Sequence, residues 1–201
     1  SDVYKRQELY NTENDPGQKN NVINENKNIA NDMQKFYDDW WEDASKEFRY
    51  SYIDIFPNIS NTITAHDVQV NSITAWDQSV VRRGVPYELG KFNVNFKKSG
   101  EYKITLRRWP KESKLNLRDS INDYIPARKY WDQQASGKSM NIASAFIKIG
   151  DKQYNIDLSN NLKSATININ IDSGKTSLEP AFILDNGQTS VVFYTDIDFL
   201  F

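Results

Sequence analysis

Gly100-Glu-Tyr-Lys-Ile-Thr-Leu-Arg-Arg-Trp-Pro110 is the stretch on which the fold turns. Tyr102, Ile104 and Leu106 alternate with Lys103, Thr105 and Arg107, the period of two that marks a strand buried on one face. Immediately upstream, Phe92, Val94 and Phe96 alternate with Asn93 and Asn95, and Lys97-Lys98-Ser99-Gly100 supplies a connection. Read together, the two segments predict a β-hairpin whose apolar faces point into one core. Pro110 cannot donate to a continuing ladder, so the strand ends there. Arg107, Arg108 and Trp109 crowd that exit, either as a recognition surface or as a strand end tied down by salt bridges.

Working outward, the strand pattern dominates. Tyr52 to Phe56 reads as a strand stopped by Pro57 and the polar cluster Asn58 to Asn61. From Ala143 it returns: Ala143, Ala145, Ile147 and Ile149 alternate, and Gly150-Asp151-Lys152 turns the chain into Tyr154, Ile156 and Leu158. Ala165, Ile167, Ile169 and Ile171 alternate with Thr166, Asn168 and Asn170 up to Asp172-Ser173-Gly174. Leu178 to Leu184 leads into Asp185-Asn186-Gly187, whose Asn-Gly pair suits a two-residue hairpin turn. Val191, Phe193, Ile197, Phe199 and Phe201 close the domain. Between these blocks, Lys111 to Lys138 is charged and irregular, an ordered loop with a helical turn expected near Ser120 to Tyr124 and anchors at Tyr130 and Trp131.

One segment keeps a different period. From about Asn28 to Phe48, Ile29, Met33, Phe36, Tyr37, Trp40 and Trp41 recur at helical spacing, opposite Asp32, Asp38, Asp39, Glu42 and Asp43. This predicts an amphipathic helix of about five turns whose aromatic stripe needs a partner surface. Before it, Glu8-Leu9-Tyr10 is extended and Asn11 to Gly17 is rich in turn formers. The expected architecture is therefore α+β: the helix with a small antiparallel sheet piece over 8–49, then an antiparallel β-sandwich over 50–201. Ser1 to Gln7 resembles a junction artefact of assembled sequence and carries no fold information.

Composition limits the function classes. The 201 residues carry a formal net charge of −2, which gives no broad electrostatic case for nucleic acid or an anionic membrane. Cysteine is absent, so there is no disulfide, thiolate metal site or cysteine nucleophile, and the single His66 removes any multi-histidine metal site. No apolar run approaches the ~20 residues needed to span a bilayer.

Glu8-Leu9-Tyr10-Asn11, followed by Asn14-Asp15-Pro16-Gly17-Gln18 and Asn21-Val22, resembles a segment near the C-terminus of sulfatases, hydrolases of the alkaline-phosphatase superfamily. In that family a helix follows, ending in a pattern similar to Phe36-Tyr37-Asp38-Asp39-Trp40-Trp41. Thr64-Ala65-His66-Asp67, Trp76-Asp77-Gln78, Arg82-x-Gly84, Gly90-Lys91-Phe92 and Leu106 to Pro110 resemble the C-terminal region of bacterial arylsulfatase-type enzymes. The likeness runs from Glu8 with 111–140 unmatched, and it departs at Val68, where related sequences carry an aromatic residue.

The resemblance implies a C-terminal fragment whose missing N-terminal domain holds a formylglycine nucleophile, made within a Cys/Ser-x-Pro/Ala-x-Arg motif, and a Ca²⁺ that neutralises sulfate. Neither that motif nor a cysteine occurs here, so no catalytic residue is expected in this chain. It further implies a sulfated glycan or aryl sulfate as substrate, and export to the periplasm or outside. What could remain is substrate contact. Arg107 and Arg108 could pair with a sulfate or carboxylate. Trp76 and Trp109 could stack on a sugar ring or hold those guanidiniums, and His66 beside Asp67 completes the candidate set. The plainer alternative pairs both arginines with acids on adjacent strands, and His66 with Asp67 as a structural hydrogen-bonded pair. Two whole-chain readings stay open beside the sulfatase tail: an autonomous carbohydrate-binding β-sandwich with an aromatic sugar platform, and a relative acting on phosphate esters.

Overall fold

A computed structural model describes residues 7–46, 51–68, 78–84, 88–129, 133–134, 136–158 and 163–201. The chain divides into two compact units, Ser1–Ser51 and Tyr52–Phe201.

In the first unit, α1 (Lys27–Ser45) forms as the 3.6-residue period predicts. It buries none of its residues. Ile29, Met33, Phe36, Tyr37, Trp40 and Trp41 all stand exposed, Phe36 at 75%. Tyr37 and Trp41, one turn apart, stack with ring planes 8° from parallel. Among the described residues of this unit there is no strand, so the expected small sheet piece is not formed. Glu8 to Tyr10 has no second strand to pair with among the described residues; Leu9 O accepts from Val22 N at 2.8 Å, and side chains of the turn make further contacts. Asp15 Oδ2 accepts from Lys19 N and Asn20 N at 2.8 and 2.7 Å, and Leu9 N donates to Asn21 Oδ1 at 3.0 Å.

The second unit is a two-layer β-sandwich. One sheet runs β1 (Ile53–Ile55), β3 (Phe92–Phe96), β8 (Gly174–Leu184), β5 (Ile142–Ile149), β6 (Lys152–Asp157), with β9 (Thr189–Val191) added to β8. The other runs β2 (Asn61–Thr64), β10 (Tyr194–Phe199), β4 (Gly100–Arg107), β7 (Ala165–Ile171). All pairs are antiparallel except β1 with β3. A short helix, α2 (Gln78–Arg82), lies in the connection from β2 to β3. One continuous core fills the space between the sheets, with Ile55, Val94, Ile104, Leu106, Ile147 and Ile197 fully buried.

The expected hairpin of β3 and β4 is not formed. The two strands lie in different sheets, and Lys97-Lys98-Ser99 arches across the core between them. Their apolar faces do point into one core, but from opposite sides. Phe96 meets the Tyr102 ring edge-on at 5.0 Å, and Tyr102 meets Phe199 the same way at 5.2 Å. Tyr102 is wholly buried and its hydroxyl donates to Lys98 O at 2.6 Å, closing the arch from inside. Asp172-Ser173, between β7 and β8, makes a second arch beside the first. Ser99 Oγ accepts from Ser173 N at 2.7 Å, tying the two together. Gly100 follows with φ +154, and a Cβ there would sit 2.4 Å from Phe201 O.

Two smaller corrections follow the same logic. Ala143 leaves the alternation because a register shift between Ile142 and Ser144 bulges β5, so Ile142, Ala145 and Ile147 face inward instead. The Asn186-Gly187 turn is one residue longer than expected: Leu184 N donates to Gln188 O at 2.8 Å, and Gly187 takes φ +80.

Candidate functional site

The residues of β4's exit are load carriers of the fold. Arg107 is 8% exposed, Arg108 0% and Trp109 4%. Arg107 forks onto Asp196 of β10, Nε to Oδ2 at 2.8 Å and Nη2 to Oδ1 at 3.0 Å, while Nη1 donates to Trp109 O at 2.8 Å. Thr62 Oγ1 donates to Asp196 Oδ1 at 2.8 Å, and Lys111 Nζ lies 3.5 Å from Oδ2. Burial opposes ionisation of Asp196, but the hydrogen bonds from Arg107 and Thr62 and the two nearby cations outweigh it. The carboxyl is held below its ordinary value.

Arg108 meets no carboxylate within hydrogen-bond reach among the described residues; it is surrounded by carbonyls. Nη2 donates to Lys138 O at 2.7 Å and Val81 O at 2.9 Å, and Nη1 to Asp119 O at 2.9 Å. Its guanidinium lies 4.5 Å from the Trp109 ring centroid. Burial pushes its pKa down to about 10, against the partial support of Asp119. The guanidinium thus fastens α2 and both ends of the 111–140 connection to β4. Arg82 donates to Asp123 O, so two arginines hold this connection by its backbone, and the connection's own Arg118 reaches out to β5, Nε to Ile142 O at 2.7 Å. These bonds satisfy backbone carbonyls of the described part of the connection, whose own Leu117 is fully buried. The helical turn expected at Ser120 to Tyr124 is absent, and Tyr130 and Trp131 lie outside the described residues.

The predicted substrate-contact set is therefore not assembled into one surface. Arg107, Arg108 and Trp109 are interior; both guanidiniums spend their donors on protein groups, whereas the buried Trp109 Nε1 meets no acceptor among the described residues. His66 is exposed in a single 3-10 turn, Ala65–Asp67, and Asp67 Oδ2 accepts from Thr64 N and Thr64 Oγ1, both at 2.9 Å. The Asp67 carboxylate thus caps this turn. Trp76 lies outside the described residues. Val68, at the departure from the sulfatase pattern, is 4% exposed in the sandwich core.

An open surface with ligand chemistry occurs elsewhere, where the β5–β6 hairpin meets the β7–β8 arch. A cleft of about 330 Å³ is lined there by Tyr154, Asp151, Lys152, Asn170, Asp172 and Lys175. Tyr154 is half-buried and the five polar residues are exposed. Lys175 Nζ sits 4.6 Å from the Tyr52 ring centroid, fixing one wall. An aromatic side beside carboxylates, an amide and ammonium groups can satisfy the hydroxyls of a polar, neutral ligand. Sequence reasoning missed this cleft because its residues come from the ends of three strands and two turns that are separate in the chain, and each reads only as strand alternation or turn former. Among the described residues no group of three or more His, Cys, Asp or Glu converges to hold a metal ion. No described helix is long and apolar enough to cross a membrane.

No family model matches the chain, and no curated protein does. Solved structures similar to it include the following two. One is a CBM35 from Cellvibrio japonicus Abf62, with TM-score 0.32 and 9% identity over 57% of this chain and 68% of that one. The other is a ruminal GH26 endo-beta-1,4-mannanase, with TM-score 0.35 and 12% identity over 75% of this chain and 27% of that one. Neither score assigns a ligand or an activity.

Proposed function

We propose that residues 52–201 act as a carbohydrate-binding β-sandwich, with the sugar seated in the cleft between the β5–β6 turn and the β7–β8 arch. The observation that supports this is the placement of Tyr154 beside Asp151, Asn170 and Asp172 at an open, polar cleft of about 330 Å³. A sugar ring offers an apolar face for the tyrosine and a rim of hydroxyls for the carboxylates and amide. The test is affinity electrophoresis of the whole chain against a panel of soluble polysaccharides. Retardation by at least one polysaccharide, weakened by Asp172→Ala and by Tyr154→Ala, is the expected result. Tyr154 also packs on the core, so Asp172→Ala is the cleaner variant. Absence of retardation with every polysaccharide, or retardation indifferent to Asp172→Ala, overturns the reading.

A second reading rests on the bare apolar stripe of α1. In it, the chain from Glu8 is the C-terminal region of a larger sulfatase-type hydrolase, with 8–49 ending its C-terminal subdomain, as the resemblance implies, and the catalytic domain of that hydrolase would cover Phe36, Trp40 and Trp41. Formylglycine, Ca²⁺ and an anionic sulfate ester would belong to that domain, and export to the periplasm or beyond would follow. A reading frame upstream of Glu8 that encodes a Cys/Ser-x-Pro/Ala-x-Arg motif is the result this version requires.

A further inference from the structure

We propose that the outer edge of β7 pairs antiparallel with the same edge of a second copy of this chain. β7 ends its sheet: it pairs with β4 on one side, and among the described residues no strand pairs with the other. A free edge offers a row of backbone donors and acceptors to any passing strand. The remaining edges carry the usual safeguards. β1 is three residues long and places Asp54 in an ion pair with Lys97 at 2.8 Å. β2 has only four residues, and β6 is charged at both ends by Lys152 and Asp157. β7 has none of these: seven residues, no charge, no proline and no bulge in its pairing with β4.

Its sequence also matches itself when reversed. Ile167-Asn168-Ile169-Asn170-Ile171 is a palindrome, with isoleucines on the core face and asparagines on the outer face. Antiparallel pairing about a two-fold axis, centred at either Asn168 or Ile169, therefore sets Ile opposite Ile and polar opposite polar. Directly opposed residues on one face lie ~4.5–5.5 Å apart at Cβ, so facing amides can each donate and accept. A foreign strand would need to reproduce this pattern, whereas a second copy supplies it. Because the two-fold consumes both edges, the contact closes at a dimer instead of propagating.

The test is sedimentation equilibrium of the full chain across a concentration series, with Asn168→Lys as the probe. Asn168 is exposed, and a lysine there opposes another lysine, or a neighbour on the same outer face, across the seam. Expected are a concentration-dependent dimer for the natural chain and an association constant lowered by about tenfold or more in Asn168→Lys, with an unchanged thermal midpoint. Should that variant unfold, Thr166→Lys on the same exposed row serves the same purpose. A natural chain monomeric throughout, or a dimer indifferent to the lysine and so formed elsewhere, such as on the stripe of α1, overturns the proposal.

Discussion

Arg108 shows what a wholly buried guanidinium does when carbonyls, not carboxylates, surround it. Its planar fork reaches Val81 O, Asp119 O and Lys138 O at once, which a lysine ammonium cannot span. Arg108→Met should therefore cost about 3 kcal/mol or more in a urea titration, since several buried acceptors lose their donors together. Arg108→Lys should recover less than half of that loss, and a lysine variant as stable as the natural chain would refute the clamp. The pair below it responds to acid. Asp196 has its folded pKa below the ordinary 3.8, so it binds fewer protons folded than unfolded near that value. Its contribution is complete above about pH 4 and is lost as pH falls through the folded pKa. Asp196→Asn should accordingly be less stable than the natural chain at neutral pH, and the gap should narrow in denaturant titrations near pH 3. A gap that stays constant with pH would separate Asp196 from the acid limb.

At the scale of elements, period identified the longest elements. Alternation placed β3, β4 and β7, and the 3.6-residue stripe placed α1 to within three residues at either end, whereas the short β2 and α2 carried no periodic signal and β8 begins four residues before the apolar run read at Leu178. Pairing was not legible in the same way. A strand's inward face looks identical whether its neighbour lies beside it or across the core, so Phe96 and Tyr102 signalled burial without signalling the arch. What distinguishes the two is the partner each strand finds later in the chain, Gly174 to Leu178 for β3 and Ala165 to Ile171 for β4. The site suffered from the same blindness. Arg107 and Arg108 drew attention because charge beside an indole signals recognition, yet burial turned both inward. The plainer alternative held for Arg107 on Asp196 and failed for Arg108, whose backbone acceptors carry no mark in sequence. Tyr154, Asp151 and Asp172 come together only because a hairpin turn and an arch share one corner of the sandwich.

The whole molecule is two units of unequal self-sufficiency. Every residue of the continuous core belongs to 52–201, whereas α1 buries nothing. A chain cut before Tyr52 should keep a single cooperative thermal transition and its near-ultraviolet dichroism; a broad, signal-poor melt would show that the sandwich leans on residues 7–46. Within the sandwich, the last strand has an uncommon place. β10 lies inside its sheet, between β2 and β4, pairing with residues far earlier in the chain, as at Thr195 with Leu106 and Ile197 with Ile104. Its Ile197 is fully buried and its Asp196 receives Arg107. While a ribosome is still adding Tyr194 to Phe199, β2 and β4 have no strand between them and the buried guanidinium has no counter-ion. The sandwich therefore cannot close until β10 has been made, and in that interval the uncharged edge of β7 is present without its completed sheet.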